Sequence, residues 1–93
     1  MSYTLTATPR ANRDLDALPE AVRKAIGLRI DALSTTPRPP GIVRVESQPP
    51  GNYRLRVRDY RVGYFVDDEA RTVTVWQVGH RSKFYDRATR RRR

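Results

Sequence analysis

Ninety-three residues, 38% hydrophobic and without cysteine, suit a single domain with a modest core. They exclude disulfide scaffolds, thiolate nucleophiles and the commonest structural zinc sites. Nineteen basic residues against ten acidic ones give a net charge of +9 and a pI near 11.0, so the chain should attract nucleic acid, an anionic membrane surface or an acidic protein. Seventeen of the basic residues are arginine, an excess that the base composition of a source genome produces as readily as a demand for guanidinium chemistry. One histidine, His80, leaves little to hold a metal, and neither metal nor cofactor is expected. No apolar run approaches the roughly 20 residues of a membrane span, and the first thirteen residues lack the apolar middle of a secretion signal. The expectation is a cytoplasmic protein without a membrane partner.

In chain order, Tyr3 to Ala7 alternates as a brief strand, and Thr8-Pro9 supplies a helix cap followed by proline at the first helical position. Ala11, Leu15 and Leu18 recur at helical spacing, which predicts a helix over Pro9 to Ala17. Pro19 stops it and starts a second helix, with Glu20 suited to its N-terminus and Val22, Ile26, Ile30 and Leu33 on one apolar face. The segment TTPRPPG, Thr35 to Gly41, ends that helix and cannot enter a central strand, because proline has no amide to donate. Ile42 to Glu46 then reads as an edge strand, and Gln48 to Gly51 as a second proline-rich turn.

From Tyr53 onward the pattern is a meander of three antiparallel strands, Tyr53 to Val57 or Arg58, Tyr60 to Val66 and Arg71 to Val78. Period two places Arg54, Arg56 and Arg58 on one face, with Tyr53, Leu55 and Val57 on the other. Arg61 joins the cations from the next strand. The predicted fold is α+β: an N-terminal strand, a helical hairpin, an antiparallel sheet of three to four strands with both helices on one face, and a short C-terminal helix over Phe84 to Ala88. Residues 1–89 form the single domain, and the arginines at 90–93 a solvated basic tail.

Three stretches, YRLRVRDYRV, the acidic turn DDE and VGHRSKFY, preceded by two helices broken at Leu18-Pro19, resemble the RelE toxins of bacterial toxin-antitoxin systems within the RelE/ParE superfamily. The resemblance covers nearly the whole chain. It implies a RelE-like fold and an endoribonuclease that cleaves messenger RNA on the ribosome, held inactive by a cognate antitoxin. By position it gives Arg54 and Arg56 contact with RNA phosphate, to which the alternating row adds Arg58, and it gives Arg61 and Arg81 the stabilisation of the reacting phosphate and Tyr85 proton transfer. Arg54 and Arg56 stand where many relatives have lysine, and Arg58 where a glycine often precedes the DYR motif.

The chemistry can be reasoned without the family. RNA carries its own nucleophile, so cleavage needs the 2′-hydroxyl deprotonated, the phosphorane charge stabilised and the 5′-oxygen protonated. Guanidinium groups suit the middle task and cannot serve as the base. Tyr85 is the proton-transfer residue by resemblance; His80 is its rival by chemistry, since imidazole titrates nearer neutrality than phenol. Plainer readings stand beside each: an arginine row is often only a solvated face, Arg81 and Tyr85 a structural clamp, His80 a hydrogen-bonded surface group, Trp76 and Phe65 packing residues.

The resemblance also admits a non-enzymatic ParE-type inhibitor of DNA gyrase, or a degenerate member that only binds RNA or its antitoxin. The expected partners are an acidic antitoxin, messenger RNA on the ribosome, and operator DNA only through the toxin-antitoxin complex.

Overall fold

Two helices cover one face of a five-stranded sheet in the computed structural model, which describes residues 2–82. The elements are β1 (Thr4–Ala7), α1 (Pro9–Asp16), α2 (Glu20–Ala32), β2 (Val43–Arg44), β3 (Asn52–Val57), β4 (Tyr60–Asp67) and β5 (Thr72–His80). The strand order is β1-β5-β4-β3-β2. The meander β3-β4-β5 is antiparallel, as its alternation predicts. The count rises above three to four because β1 joins as a fifth strand, parallel to β5. A parallel neighbour requires a long crossover, and the chain between β1 and β5 supplies it. The expected edge strand from Ile42 to Glu46 contracts to two residues pairing with β3, hemmed in by the prolines on either side. The predicted C-terminal helix over Phe84 to Ala88, Tyr85 and the tail at 90–93 lie outside the described residues.

Thr8 caps α1 as its sequence suggests, its Oγ1 accepting the Ala11 N–H at 3.2 Å, with Pro9 in the first turn. On α2, Ile26 and the capping residue Leu33 are buried and Val22 and Ile30 pack beside them. Against the helices the sheet presents Leu55 and Val57 of β3, Val62, Tyr64 and Val66 of β4, and Val73, Val75 and Val78 of β5. Residues paired across strands share a face, so Leu55 opposite Val62 and Val62 opposite Val78 form one continuous apolar row.

That row survives a phase slip in β5. Val75 pairs with Tyr64 but Gln77 with Gly63, so Trp76 is the extra residue of a β-bulge. Without it, Val75 and Val78 would point to opposite faces. Beyond the end of β1, α1 takes over the edge of β5: the Thr8 N–H donates to the Val75 carbonyl at 2.9 Å and the Val78 N–H donates to Asp14 Oδ2 at 3.0 Å. An amide that would otherwise lack a strand partner is thereby satisfied.

A second cluster holds the proline-rich connection between α2 and β2. Asp68 accepts from the Tyr3 hydroxyl and from Arg38, both at 2.6 Å, while Arg38 Nε donates to the Tyr53 hydroxyl at 3.1 Å. These two donors, Tyr3 first, hold the Asp68 carboxyl below the usual carboxylate range. Tyr64, fully buried, donates its hydroxyl to the Pro37 carbonyl at 2.8 Å, and burial pushes its pKa up to about 12. The DDE segment is a turn, as read from sequence: Asp67 Oδ1 accepts the N–H groups of Glu69 and Ala70. Asp68 gives that turn a further role as an anchor.

Candidate RNA-binding face and its rim

The sheet face away from the helices carries the arginines. Arg56 on β3 lies directly opposite Arg61 on β4, and Arg54 directly opposite Gly63, so all three point to one side. Arg61 in turn faces Gly79 on β5, which offers no side chain across from it. Arg56 is exposed and Arg54 half-buried. Arg61 is only 5% exposed and donates through one Nη to the Tyr60 carbonyl at 3.2 Å, which holds its guanidinium against the sheet backbone. Like charges directly opposite on neighbouring strands repel. An anion seated between Arg56 and Arg61 would convert that repulsion into charge-assisted hydrogen bonding.

Arg58 departs from the row in which period two places it. The strand ends at Val57, paired with Tyr60, leaving Arg58 and Asp59 as a two-residue turn. Arg58 has φ +56°, a left-handed conformation in which glycine has no steric cost. This is the position where the resemblance marks an absent glycine. The turn also reaches the end of β5, because the Arg81 N–H donates to the Asp59 carbonyl at 2.7 Å. Arg81 is thus tethered at the rim beside Arg58 and Asp59, with its side chain exposed.

His80 takes a different place. It pairs with Tyr60, whose neighbours in register, Val57 and Val62, belong to the core face. Its ring meets Tyr60 edge to face, with centroids 5.4 Å apart. Its Nδ1 accepts the Ser82 N–H at 3.2 Å and lies 3.1 Å from Ser82 Oγ. Register therefore sets His80 on the opposite side of the sheet from Arg54, Arg56 and Arg61, while the next residue, Arg81, lies at the rim between the two. Tyr85 lies outside the described residues.

At the other end of the arginine face is a group that the sequence reading assigned only to packing. Trp76, the bulge residue, donates from Nε1 to Asn52 Oδ1 at 2.8 Å. The indole lies over Gly63, where an added Cβ would come within 2.8 Å of the ring. Asn52, buried, also donates to the Pro49 carbonyl. The signal was present in the sequence: Val75 and Val78 are three apart, which breaks period two at Trp76.

The family model for the ParE toxin of type II toxin-antitoxin systems matches residues 5–85. The chain belongs to the RelE/ParE toxin superfamily. Among proteins similar to this RelE/ParE toxin is toxin RelG of Mycobacterium tuberculosis, 34% identical over 88 residues, covering 94% of this chain and all of that one. The fold matches the toxin-antitoxin complex RelBE2 of M. tuberculosis, with TM-score 0.76 and 32% identity over 87% of this chain and all of that one. It also matches the isolated E. coli RelE toxin, with TM-score 0.75 and 29% identity over 96% of this chain and 97% of that one.

Proposed function

We propose that this RelE/ParE toxin is a cytoplasmic, ribosome-dependent endoribonuclease that cleaves messenger RNA by attack of the 2′-hydroxyl on the adjacent phosphodiester. The observation that carries this reading is the convergence of Arg54, Arg56 and Arg61 on the helix-free face, with Arg81 tethered at its rim. In this reading Arg54, Arg56 and Arg58 hold the RNA backbone and Arg61 and Arg81 stabilise the phosphorane. The backbone anchor of Arg81 and the held guanidinium of Arg61 reduce the reorganisation needed when that charge develops. Arginine cannot take the 2′-proton. Proton transfer falls to Tyr85 by family resemblance, and the ribosome contributes by positioning the substrate.

The partner is an acidic antitoxin. The E. coli relative has been crystallised as an intact RelBE toxin-antitoxin complex, and here a charge of +9 favours an acidic binder. Leu28 on α2 and Val43 on β2, 72% and 48% exposed, give such a segment apolar anchorage. Contact with operator DNA would come through the antitoxin.

Primer extension of messenger RNA on translating ribosomes tests the nuclease. Wild type should cut, and Arg81→Ala and Tyr85→Phe should each lose about 10² in rate. Cuts that persist in both variants would keep the nuclease and reject these residues. The family-model match carries the ParE name, which favours gyrase inhibition as the second reading. Folded wild type that cuts nothing but blocks DNA supercoiling would establish it.

A further inference from the structure

We infer that His80 is a positioning residue, a side-chain cap that orients Arg81, and that it does not transfer the proton. The inference rests on the nuclease reading and assigns a role within the same site. At the junction where β5 ends and a helical turn begins at Arg81 and Ser82, the Arg81 N–H is taken by the Asp59 carbonyl at 2.7 Å. The following N–H, that of Ser82, has no strand partner and is accepted by His80 Nδ1 at 3.2 Å. This is the relation of an N-cap to the second residue of a helix, which Asn, Asp or Ser usually provides. An accepting Nδ1 goes with the tautomer protonated at Nε2, in which Ser82 Oγ, 3.1 Å from the same nitrogen, is a donor to it. Edge-to-face packing on Tyr60 at 5.4 Å holds the ring in place. Two consecutive amides are thus fixed from two directions, and the side chain between them is Arg81. His80 itself shares the face of Tyr60, not that of Arg54, Arg56 and Arg61, and is poorly placed to reach a 2′-hydroxyl bound among those arginines.

Three variants separate capping from proton transfer. His80→Asn keeps an acceptor for the Ser82 amide but has no titratable group near neutrality. His80→Phe keeps the aromatic contact with Tyr60 and has no acceptor. His80→Ala has neither. In the ribosomal cleavage assay, His80→Asn should stay within about threefold of wild type, while His80→Phe and His80→Ala fall by about tenfold, the size of one lost cap. If His80→Asn falls as far as His80→Ala, proton transfer is the role and the inference is overturned. Activity unchanged in all three overturns it as well. Amide hydrogen exchange gives a readout independent of cleavage: Ser82 should be protected in wild type and His80→Asn and unprotected in the other two. An unprotected Ser82 amide in folded wild type removes the cap. Wild type that cuts no RNA defeats the nuclease reading instead, and the exchange pattern still decides whether His80 caps.

Discussion

The two faces of the sheet are stabilised in different ways. Beneath the helices, Val62, Tyr64, Val73 and Val75 are at most 1% exposed and gain stability by leaving water, a contribution of about 25 cal/mol per Å² of apolar surface. On the far face, Arg56 stands opposite Arg61 and the cohesion comes from a few fixed contacts: the Arg61 guanidinium on the Tyr60 carbonyl, and Trp76 held by Asn52 over Gly63. One face can be disrupted without touching the proposed RNA site; the other can lose that site while the fold stands. Stability and the proposed function are therefore largely separable here.

The largest effect belongs to the helix side. Ile26→Ala, at a fully buried position, should cost about 2–5 kcal/mol in chemical denaturation, with RNA affinity unchanged in whatever fraction remains folded. Next, high pH attacks the same face through Tyr64. A phenol whose folded pKa is raised by burial to about 12 keeps its proton after the unfolded chain has lost its own. Its contribution to stability is complete below about pH 10 and is lost as the pH climbs toward about 12, on the order of 2 kcal/mol in total. Stability measured across that range in wild type and Tyr64→Phe reads the difference; identical curves would break the account.

Gly63→Ala tests the arginine face. The new Cβ meets an indole tied down at Nε1, so a loss of about 1–3 kcal/mol is expected. Shortening Trp76 to valine in the same chain should recover part of it, and simple additivity in that double-mutant cycle would mean that the contact is not the cause. Arg56→Ala should change stability by less than about 0.5 kcal/mol, yet lower the salt slope of RNA binding by about 1. A stability loss as large as that of Ile26→Ala would abolish the separation of the two faces. The one expected gain is Arg58→Gly, which relieves the φ of +56° and should add about 0.5–1 kcal/mol, read as a raised melting midpoint. If RNA affinity falls along with that gain, Arg58 contacts phosphate; if it does not, Arg58 belongs to the turn alone.

Much of this was legible because periodicity is a direct record of burial. Alternation through Tyr53 to Val57 and Tyr60 to Val66 gave two strands and their faces, and Thr8-Pro9 and Pro19 marked both helix starts. The parallel pairing of β1 was not legible, since nothing in Thr4–Ala7 records which distant strand it meets. The placement of Arg58 followed alternation past the point where the chain turns; period two holds only within a strand. The side of the sheet that His80 takes was obscure for another reason. Its chemistry suggested a base, but which side of the sheet it occupies depends on its pairing with Tyr60, and that register passes through a bulge which resets the phase of β5. The shared face of Arg54, Arg56 and Arg61 was legible because they lie on regular strands, and the rim was obscure because it is built from a turn and a strand end.

The parallel pairing of β1 with β5 also sets an order of assembly. Contacts within β3-β4-β5 join residues close in sequence, whereas Thr8 meets Trp76 across 68 positions, and such closures carry a larger entropic cost and come later. A growing chain that has emerged only through β4 can pair Arg54 and Arg56 with their neighbours on a hairpin. It has neither the strand that receives β1 nor the residue that the Asp59 carbonyl anchors. Synthesis itself therefore delays completion of the cationic face until β5 has left the ribosome, the same machine on which the finished toxin is proposed to act.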